Sequence, residues 1–435
     1  MLLATVLEGG LRKWLLPAPL HSLAYISKDV LALAFIVHAG FRQDFKNAAV
    51  LRDRVILITA LLLPALTLGL TWSVSGAVIV FKNAVLWPLF AIYMAIWFDW
   101  DSLRKITKLL AILCVGMAIL GVIQFQTPIS SFWNRYAWHV MGRMERIATF
   151  GASSNVRATG TFSYITGYST FASVAFLWMT WRLLNASKTL DRCLCLIGCV
   201  CSVVCILTSG SRAPLYQCLL GLIAAIIVSS HIRYKLQGFT LIGMAITAYF
   251  VAGDGQLVES FFSRLTAADD SPAERISGKG MEFLPLMIER PFGIGLGQQS
   301  NVSEFRIAEQ VTDMKFTEDG RSRLAIEGGA LAVLAQLVTL SLFLSITLMS
   351  WRTRQNQSRI AAALMMPTGL YLFTNSLWYD HNVSALWWFF IGAWLAVTFR
   401  VTRQRDTFAP VMAHITPSTY AAYRRKSPVW EPELL

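Results

Sequence analysis

The sequence has few charged residues for its length. Asp, Glu, Lys and Arg together make up 14% of its 435 residues, whereas soluble domains carry about 25%. So few charges cannot cover the surface of a water-soluble protein of this size, which excludes an arrangement of soluble domains. Hydrophobic residues make up 55% of the chain, and the mean hydropathy is +0.53. Both values are typical of a polytopic membrane protein.

The sequence also lacks the spacing of a metal site and the pattern of a secretory signal. The five cysteines from Cys193 to Cys205 include no CxxC pair and have no histidine nearby. We interpret them as small apolar residues of a helix, and we expect neither a metal nor another cofactor. The first sixteen residues carry Glu8, Arg12 and Lys13 and no small-residue cleavage site, so no cleavable signal is expected.

Apolar runs of the length that crosses a membrane dominate the chain. A spanning helix needs about 20 apolar residues, and eleven runs approach or reach that length, with a candidate twelfth helix before Pro17. The sequence therefore predicts an all-α polytopic membrane protein with about 11–12 transmembrane helices. The runs are 23–40, 55–70, 76–97, 109–125, 161–181, 193–208, 213–230, 239–252, 324–350, 360–377 and 385–400.

The positive charge is distributed as a membrane topology signal. A net charge of +13 is also compatible with nucleic acid binding. The positions of the basic residues in the sequence distinguish between these two interpretations. The short connections on one side of the predicted membrane hold 21 lysines and arginines, and those on the opposite side hold only Arg212. The positive-inside rule assigns the basic side and the tail 401–435 to the cytoplasm. We therefore expect a lipid bilayer, and no nucleic acid, as the partner of this charge.

Two long segments on the outer side divide the chain. Residues 1–252 form a predicted N-terminal bundle with an outer loop at 126–160, and residues 253–323 form a much larger outer loop before the C-terminal helices of 324–400. Loops between rigid helices usually carry function. The functional site is therefore expected on the outer side.

Arg212 is the most informative single residue. It follows Ser209, Gly210 and Ser211 in a connection between two spans. A guanidinium on the outer side is contrary to the positive-inside rule, so we expect an anion to offset the cost of its desolvation. Arginine binds phosphate oxygens bidentately, which makes a phosphate group a suitable anion. The alternative is an arginine that extends to the lipid headgroups.

A second charged group precedes the helix predicted to start near Leu324. Arg321 or Arg323 is a candidate ligand for a diphosphate, and Glu318 is a candidate for contact with a sugar hydroxyl. The alternative is a pair between Arg323 and Glu327, which are four residues apart on one helix.

Other candidates lie in separate outer segments. Arg157 precedes a run of hydroxyl residues, glycines and tyrosines that includes Tyr164. Such a run suits hydrogen bonding to a carbohydrate, and helix packing through small residues is the alternative. Lys82 is the lone charge inside a span and lies in its outer half, which indicates function. Lys28 and Asp29 are interpreted as a neighbouring ion pair.

Residues 291–297 contain three alternating glycines in the pattern G-x-G-x-G. A dinucleotide-binding loop requires a preceding strand and G-x-G-x-x-G spacing, and this segment has neither. We expect a tight turn folded back onto the membrane surface.

Several short motifs together resemble the O-antigen ligase and polymerase superfamily, in particular its exopolysaccharide-polymerase-like branch. The resemblance covers nearly the whole chain. The motifs are Thr208–Arg212, Arg290–Gly297, Glu327–Gly328, Glu8–Pro17 and Gly160–Ser163.

The resemblance implies a metal-independent inverting glycosyltransferase of GT-C-like architecture in the bacterial inner membrane. Such an enzyme takes a glycan from an undecaprenyl diphosphate carrier on the periplasmic face, and a flippase and a chain-length regulator are expected partners. The arginines that contact the diphosphate in that family carry over to Arg212 and to Arg275.

One departure from the family favours chain polymerisation over ligation. Ligases of the family have a functional histidine in the large loop, and residues 253–323 contain none. Glu318, Arg321 or Arg323 would occupy its place, and His381 in the last outer turn is the nearest substitute, with a surface turn residue as the alternative. An O-antigen ligase and a flippase or other transporter of lipid-linked oligosaccharides remain the other interpretations.

Overall fold

The computed structural model describes ten stretches of the chain, and they are almost entirely helical. The only extended pairing within them is an isolated bridge between Thr149 and Val156. The predicted all-α class is therefore confirmed for these stretches. They comprise residues 1–41, 48–137, 147–150, 155–186, 188–229, 287–288, 290–298, 320–353, 356–374 and 378–412.

Eleven long helical elements are described, and we number them in chain order. The first continues into a π-helical turn at Leu11–Leu15, and a short 3₁₀ turn at Ala18–Leu20 precedes the second. The elements are α1 (Leu2–Gly10), α2 (His21–Phe41), α3 (Ala49–Trp72), α4 (Val74–Trp97), α5 (Trp100–Gln126), α6 (Ile165–Asn185), α7 (Thr189–Ser209), α8 (Arg212–Val228), α9 (Gly320–Arg352), α10 (Asn356–Thr374) and α11 (His381–Met412).

Seven helical segments in the described stretches are long and apolar enough to cross a membrane. The chain is therefore a multi-pass membrane protein. Ten of the eleven predicted runs overlap α2 to α11, of which α6, α8 and α10 are not among the seven. The run 239–252 lies outside the described residues. The predicted twelfth helix is α1 with its π-helical turn, whose 9 and 5 residues are too few to cross the hydrocarbon core.

Polar side chains mark the starts of two spanning helices. Ser73 separates α3 from α4, and its hydroxyl accepts a hydrogen bond from the Gly76 amide at 3.3 Å. Asp99 separates α4 from α5 in the same way and accepts from the Ser102 amide at 2.8 Å. These caps satisfy amides that the first turn of a helix leaves without partners. They allow three spans to follow one another with hardly any linker.

Helix α6 and the first part of α11 lie in the centre of the bundle. Almost every residue of α6 is buried, and its Trp178 ring packs against Phe390 and Trp394 of α11 at centroid distances of 5.7 and 6.0 Å. Gly392 brings α11 close to Ala91 of α4, because a Cβ atom there would crowd the α4 backbone. Aromatic rings on one helix and small residues on another thus build this core.

Helix α9 is interrupted by a non-helical residue, Gly329, with φ 58° and ψ −150°. The segment 290–298 packs beside this break. The Ala330 amide donates to the Pro291 carbonyl and the Leu296 amide donates to the Ala65 carbonyl of α3, both at 2.9 Å. The glycine-rich segment, expected as a tight turn folded back onto the membrane surface, thus has helices as its contacts. It is inserted between α3, α4 and α9, where polar backbone needs protein partners.

Helix ends that are distant in sequence meet at one end of the bundle. Tyr168 at the start of α6 bonds Thr208 at the end of α7 at 3.0 Å. Gln124 at the end of α5 bonds the Gly160 carbonyl, just before α6, at 3.2 Å. We call this the Arg212 end of the bundle, and the residues predicted to be functional that the structure describes lie there.

Candidate functional site

Two arginines share the turn between α7 and α8. Gly210 adopts φ 61°, a left-handed conformation that glycine tolerates without strain, and this directs the chain into α8. Arg157 donates from Nε to the Ser209 carbonyl at 2.9 Å and from Nη2 to the Ser211 hydroxyl at 3.0 Å. Arg212 is the next residue. The structure therefore brings the predicted residues Arg157 and Arg212 to the same turn.

Arg212 is the first residue of α8 and is half-buried. Its side chain makes no hydrogen bond or ion pair with any residue that the structure describes. The first turn of a helix carries free amides and a partial positive charge. An arginine at that position, without a carboxylate to neutralise it, is suited to bind an anion.

Helix α5 holds the loop that carries Arg157 through hydrogen bonds. The Gln124 side-chain oxygen accepts hydrogen bonds from the amides of Thr159 and Gly160, at 3.0 and 2.8 Å. The Ala158 amide donates to the Thr208 carbonyl at 2.9 Å. The backbone on both sides of Arg157 thus has partners in helices, which fixes the position of its guanidinium.

The N-terminal segment holds the same loop from a second side. Lys13 donates from Nζ to the Thr159 hydroxyl at 2.6 Å and to the Gly160 carbonyl at 3.1 Å. It is 2% exposed, and neither partner carries a charge, so burial holds the pKa of the Lys13 ammonium well below its usual range. Gly9 packs so closely on the backbone of Thr161 and Ser163 that a Cβ atom would overlap it.

Tyr164 lies at the open edge of this loop. Its side chain is 44% exposed, and its ring packs edge to face on Tyr136 with 5.6 Å between centroids. An exposed aromatic face with a hydroxyl is suited to contact a sugar ring. The prediction that Tyr164 binds carbohydrate remains a prediction.

A buried carboxylate connects three parts of the chain at the Arg212 end. Glu8 of α1 accepts a hydrogen bond from Arg12 at 2.8 Å and another from Lys28 of α2. Lys28 also donates to the Asn382 side chain of α11. Glu8 and Lys28 are at most 1% exposed. A carboxylate with two cationic donors satisfies the requirement that buried charges be paired.

A second ion pair lies next to the first. Lys82 of α4 donates from Nζ to Asp29 of α2 at 2.6 Å and lies 3.0 Å from Nδ1 of His381. His381 is 4% exposed, so it is not a surface turn residue. Lys28 and Asp29 therefore do not form the expected neighbouring pair, because Lys28 bonds to Glu8 and Asp29 bonds to Lys82.

The Tyr25 ring lies between these ion pairs. Three cationic groups lie 5.2 to 5.6 Å from its centroid, and the His381 ring is 4.5 Å away. Cations at this distance from an aromatic ring are stabilised by its quadrupole. We call this set the buried ionic network. It consists of Glu8, Arg12, Tyr25, Lys28, Asp29, Lys82, His381 and Asn382.

The third candidate region surrounds the break in α9. The Arg323 guanidinium lies 5.1 Å from the Tyr379 ring centroid, and the Glu327 carboxylate accepts from the Gly297 amide at 2.7 Å. Glu327 therefore has a structural partner in the glycine-rich segment. Of the other predictions for this region, Arg275 and Glu318 lie outside the described residues, as does the side chain of Arg321.

Sequence reasoning did not assign a role to the residues that hold the site together. Glu8 and Arg12 are four residues apart in a helix, which was a detectable signal for a pair. Lys13 carried no such signal, because its partners Thr159 and Gly160 are separated from it by a long stretch of sequence. Within the described residues, no group of three or more His, Cys, Asp or Glu side chains is placed to hold a metal ion.

Comparisons with known proteins do not assign a family. No protein-family model matches the chain, and no curated protein is significantly similar to it. Interpretation of the site therefore depends on its own geometry.

Proposed function

We propose that the chain is a bacterial repeat-unit polymerase for an exopolysaccharide or O-antigen. It transfers a glycan from undecaprenyl diphosphate to a lipid-linked acceptor, and the reaction takes place on the periplasmic face of the inner membrane. The motif resemblance described above motivates this proposal.

The observation that carries the proposal is the free guanidinium of Arg212 beside Arg157. Arg157 is held by the backbone and hydroxyl of the turn, whereas Arg212 has no partner among the described residues. A diphosphate supplies several oxygens that accept from such groups. The start of α8 adds free amides and a partial positive charge to the same place.

The proposed chemistry requires positioning and charge neutralisation more than acid or base strength. A hydroxyl of one repeat unit attacks the anomeric carbon of the growing chain with inversion. The new glycosidic bond forms, the bond to undecaprenyl diphosphate breaks, and the hydroxyl proton is released. Arg212 stabilises the negative charge that develops on the leaving diphosphate. Guanidinium groups can provide this stabilisation without a metal ion.

The proposal predicts that Arg212→Ala abolishes polymer formation. Loss of one charge-assisted contact to a leaving group lowers a rate by roughly 100-fold or more. The measurement is the amount and length of polymer in cells that carry only the variant gene, with the amount of protein in the membrane determined in parallel. Full-length polymer in both Arg212→Ala and Arg275→Ala would refute the assignment.

Arg135 offers a matched control for Arg212. It lies at the same end of the bundle, is exposed, and packs its guanidinium 5.0 Å from the Phe132 ring. Arg135→Ala removes an arginine that belongs to neither the turn nor the network, so it should leave polymer formation within about twofold of wild type. Glu318→Gln tests the separate proposal that Glu318 orients the acceptor, and wild-type rates would remove it from the site.

A transporter of lipid-linked oligosaccharides is the second candidate, and the buried ionic network favours it. Charged side chains buried inside spanning helices mark substrate or ion pathways in transporters. A deletion strain distinguishes the two functions, since single repeat units accumulate on the outer leaflet without a polymerase and on the inner leaflet without a flippase. A ligase would instead leave complete polymer that is not attached to its acceptor.

A further inference from the structure

The contacts of the His381 ring cannot all be satisfied by one protonation state. Nδ1 lies 3.0 Å from the Lys82 ammonium, which requires a bare nitrogen, and 3.0 Å from Oδ1 of Asn83, which requires an N–H. The orientation of Asn83 is set by the hydrogen bond from its Nδ2 to the Trp378 carbonyl, at 2.7 Å. The oxygen of Asn83 therefore faces the ring, and a donor and an acceptor meet at one nitrogen.

The other ring nitrogen faces a carboxylate. Nε2 of His381 lies 3.5 Å from Oδ1 of Asp29, and neither of these two buried atoms has a hydrogen-bond partner among the residues that the structure describes. With Lys82 donating to Nδ1, the neutral ring carries its proton on Nε2, directed at Asp29. A second proton on Nδ1 would donate to Asn83 and would place an imidazolium beside the Lys82 ammonium.

We propose that His381 is a proton-binding site in which an incoming proton displaces the Lys82 ammonium from Nδ1. Acceptors for both protons of the imidazolium, Asn83 and Asp29, are already in place. Lys82 can move, because its side chain is 18% exposed, whereas that of His381 is 3% exposed. Proton binding thus replaces one contact between α4 and α11, from Lys82 to Nδ1, with another, from Nδ1 to Asn83, and it strengthens the contact between α2 and α11 through Asp29. This does not depend on the proposed polymerase reaction.

Burial of the ring and the charges of Lys28, Lys82 and Arg12 all oppose a second proton on His381. Lys28 and Arg12 face the ring from α2 and from the π-helical turn, but both are paired with Glu8 and can remain in place when the ring is charged. The charge that must leave is Lys82. The titratable and charged groups that face the site are Glu8, Arg12, Tyr25, Lys28, Asp29, Lys82 and, at the cap of α11, Asp380.

Trp87 provides the probe for this site. Its ring lies 5.8 Å from that of His381, and an imidazolium quenches a neighbouring indole more strongly than a neutral imidazole. The purified full chain in lipid nanodiscs is titrated from about pH 8 to about pH 4, and the signal of Trp87→Phe is subtracted. The fluorescence difference between wild type and Trp87→Phe is expected to show one transition with pH, and His381→Gln is expected to abolish it.

Variants at Lys82 and Asp29 are expected to shift the midpoint pH of this transition in opposite directions. Lys82→Gln removes the competitor and should raise the midpoint by about one pH unit or more, while Asp29→Asn removes the anionic acceptor and should lower it by a similar amount. Lys28→Gln is the matched control, because it removes the same charge without removing a contact to the ring. Its midpoint should rise less than that of Lys82→Gln.

Three results would overturn the proposal. These are a transition that persists in His381→Gln, a Lys82→Gln midpoint equal to that of wild type, and equal shifts in Lys82→Gln and Lys28→Gln. The comparison of Lys82→Gln with Lys28→Gln still tests the proposal if His381→Gln does not fold. Equal shifts of the midpoint would mean that the total charge, and not the contact of Lys82 with the ring, controls proton binding.

Discussion

Replacement of Glu8 with alanine is expected to lower the free energy of unfolding by roughly 3–5 kcal/mol. The carboxylate is the partner of both Arg12 and Lys28, and all three side chains are at most 6% exposed. Without it, two buried cations lose the carboxylate that they share, which is far less favourable than the loss of a contact in water. The measurement is unfolding of the purified protein in detergent by a titration with denaturing detergent.

The exposed pair of Arg52 and Asp53 is the control for this prediction. Its atoms are 2.7 Å apart, as in a good ion pair, but the side chains are 36% and 60% exposed. Asp53→Ala should change stability by less than about 1 kcal/mol. The double variant Glu8→Ala, Lys28→Met removes one of the stranded cations and should be more stable than Glu8→Ala by about 1 kcal/mol or more. Equal losses of unfolding free energy in Glu8→Ala and Asp53→Ala would contradict the role assigned to the buried carboxylate.

Replacement of Gly297 with valine is expected to cost at least about 3 kcal/mol, from overpacking combined with backbone strain. Gly297 has φ 80°, and a Cβ atom there would overlap the backbone of Gly76 and Ala77 at the start of α4. Backbone cannot move aside as a flexible side chain can. The segment would have to leave its place between α3, α4 and α9, and the hydrogen bond from Gly297 to Glu327 would be lost with it.

Gly116 of α5 provides the comparison for Gly297. It is helical, and a Cβ atom would meet no atom within 4 Å. Gly116→Ala should therefore be neutral or stabilising by up to about 1 kcal/mol, as expected for an exposed helix interior. Both variants can be followed by the temperature at which the purified protein loses its helical circular dichroism. A Gly297→Val protein as stable as wild type would show that the segment is not packed as described.

The helices could be predicted from the sequence because each depends on a local property. A run of apolar residues is sufficient to define a span, and the topology rule identified Arg212 from the distribution of charge alone. Lys82 was likewise recognised because a charge inside an apolar run is rare. These inferences require no knowledge of which helix lies beside which.

The partners of those residues depend on which helices pack together, and no short pattern in the sequence indicates this packing. Lys82 meets His381 across 299 residues, and Lys28 meets Asn382 across 354. The interpretation of Lys28 and Asp29 as a pair was wrong, since adjacent residues on a helix point in different directions. The insertion of 290–298 was also not predicted, because it depends on the break at Gly329 and on space beside Gly69.

The long-range contacts of the N-terminal segment have a consequence for the order of assembly. Glu8 and Arg12 are synthesised before all the spanning helices described, yet Arg12 contacts Ser163, and the Lys28 that bonds Glu8 also contacts Asn382. Helices α1 and α2 therefore complete their polar contacts only when α11 has been inserted. We therefore expect the segment that carries Glu8 and Arg12 to dock after α11 has been inserted.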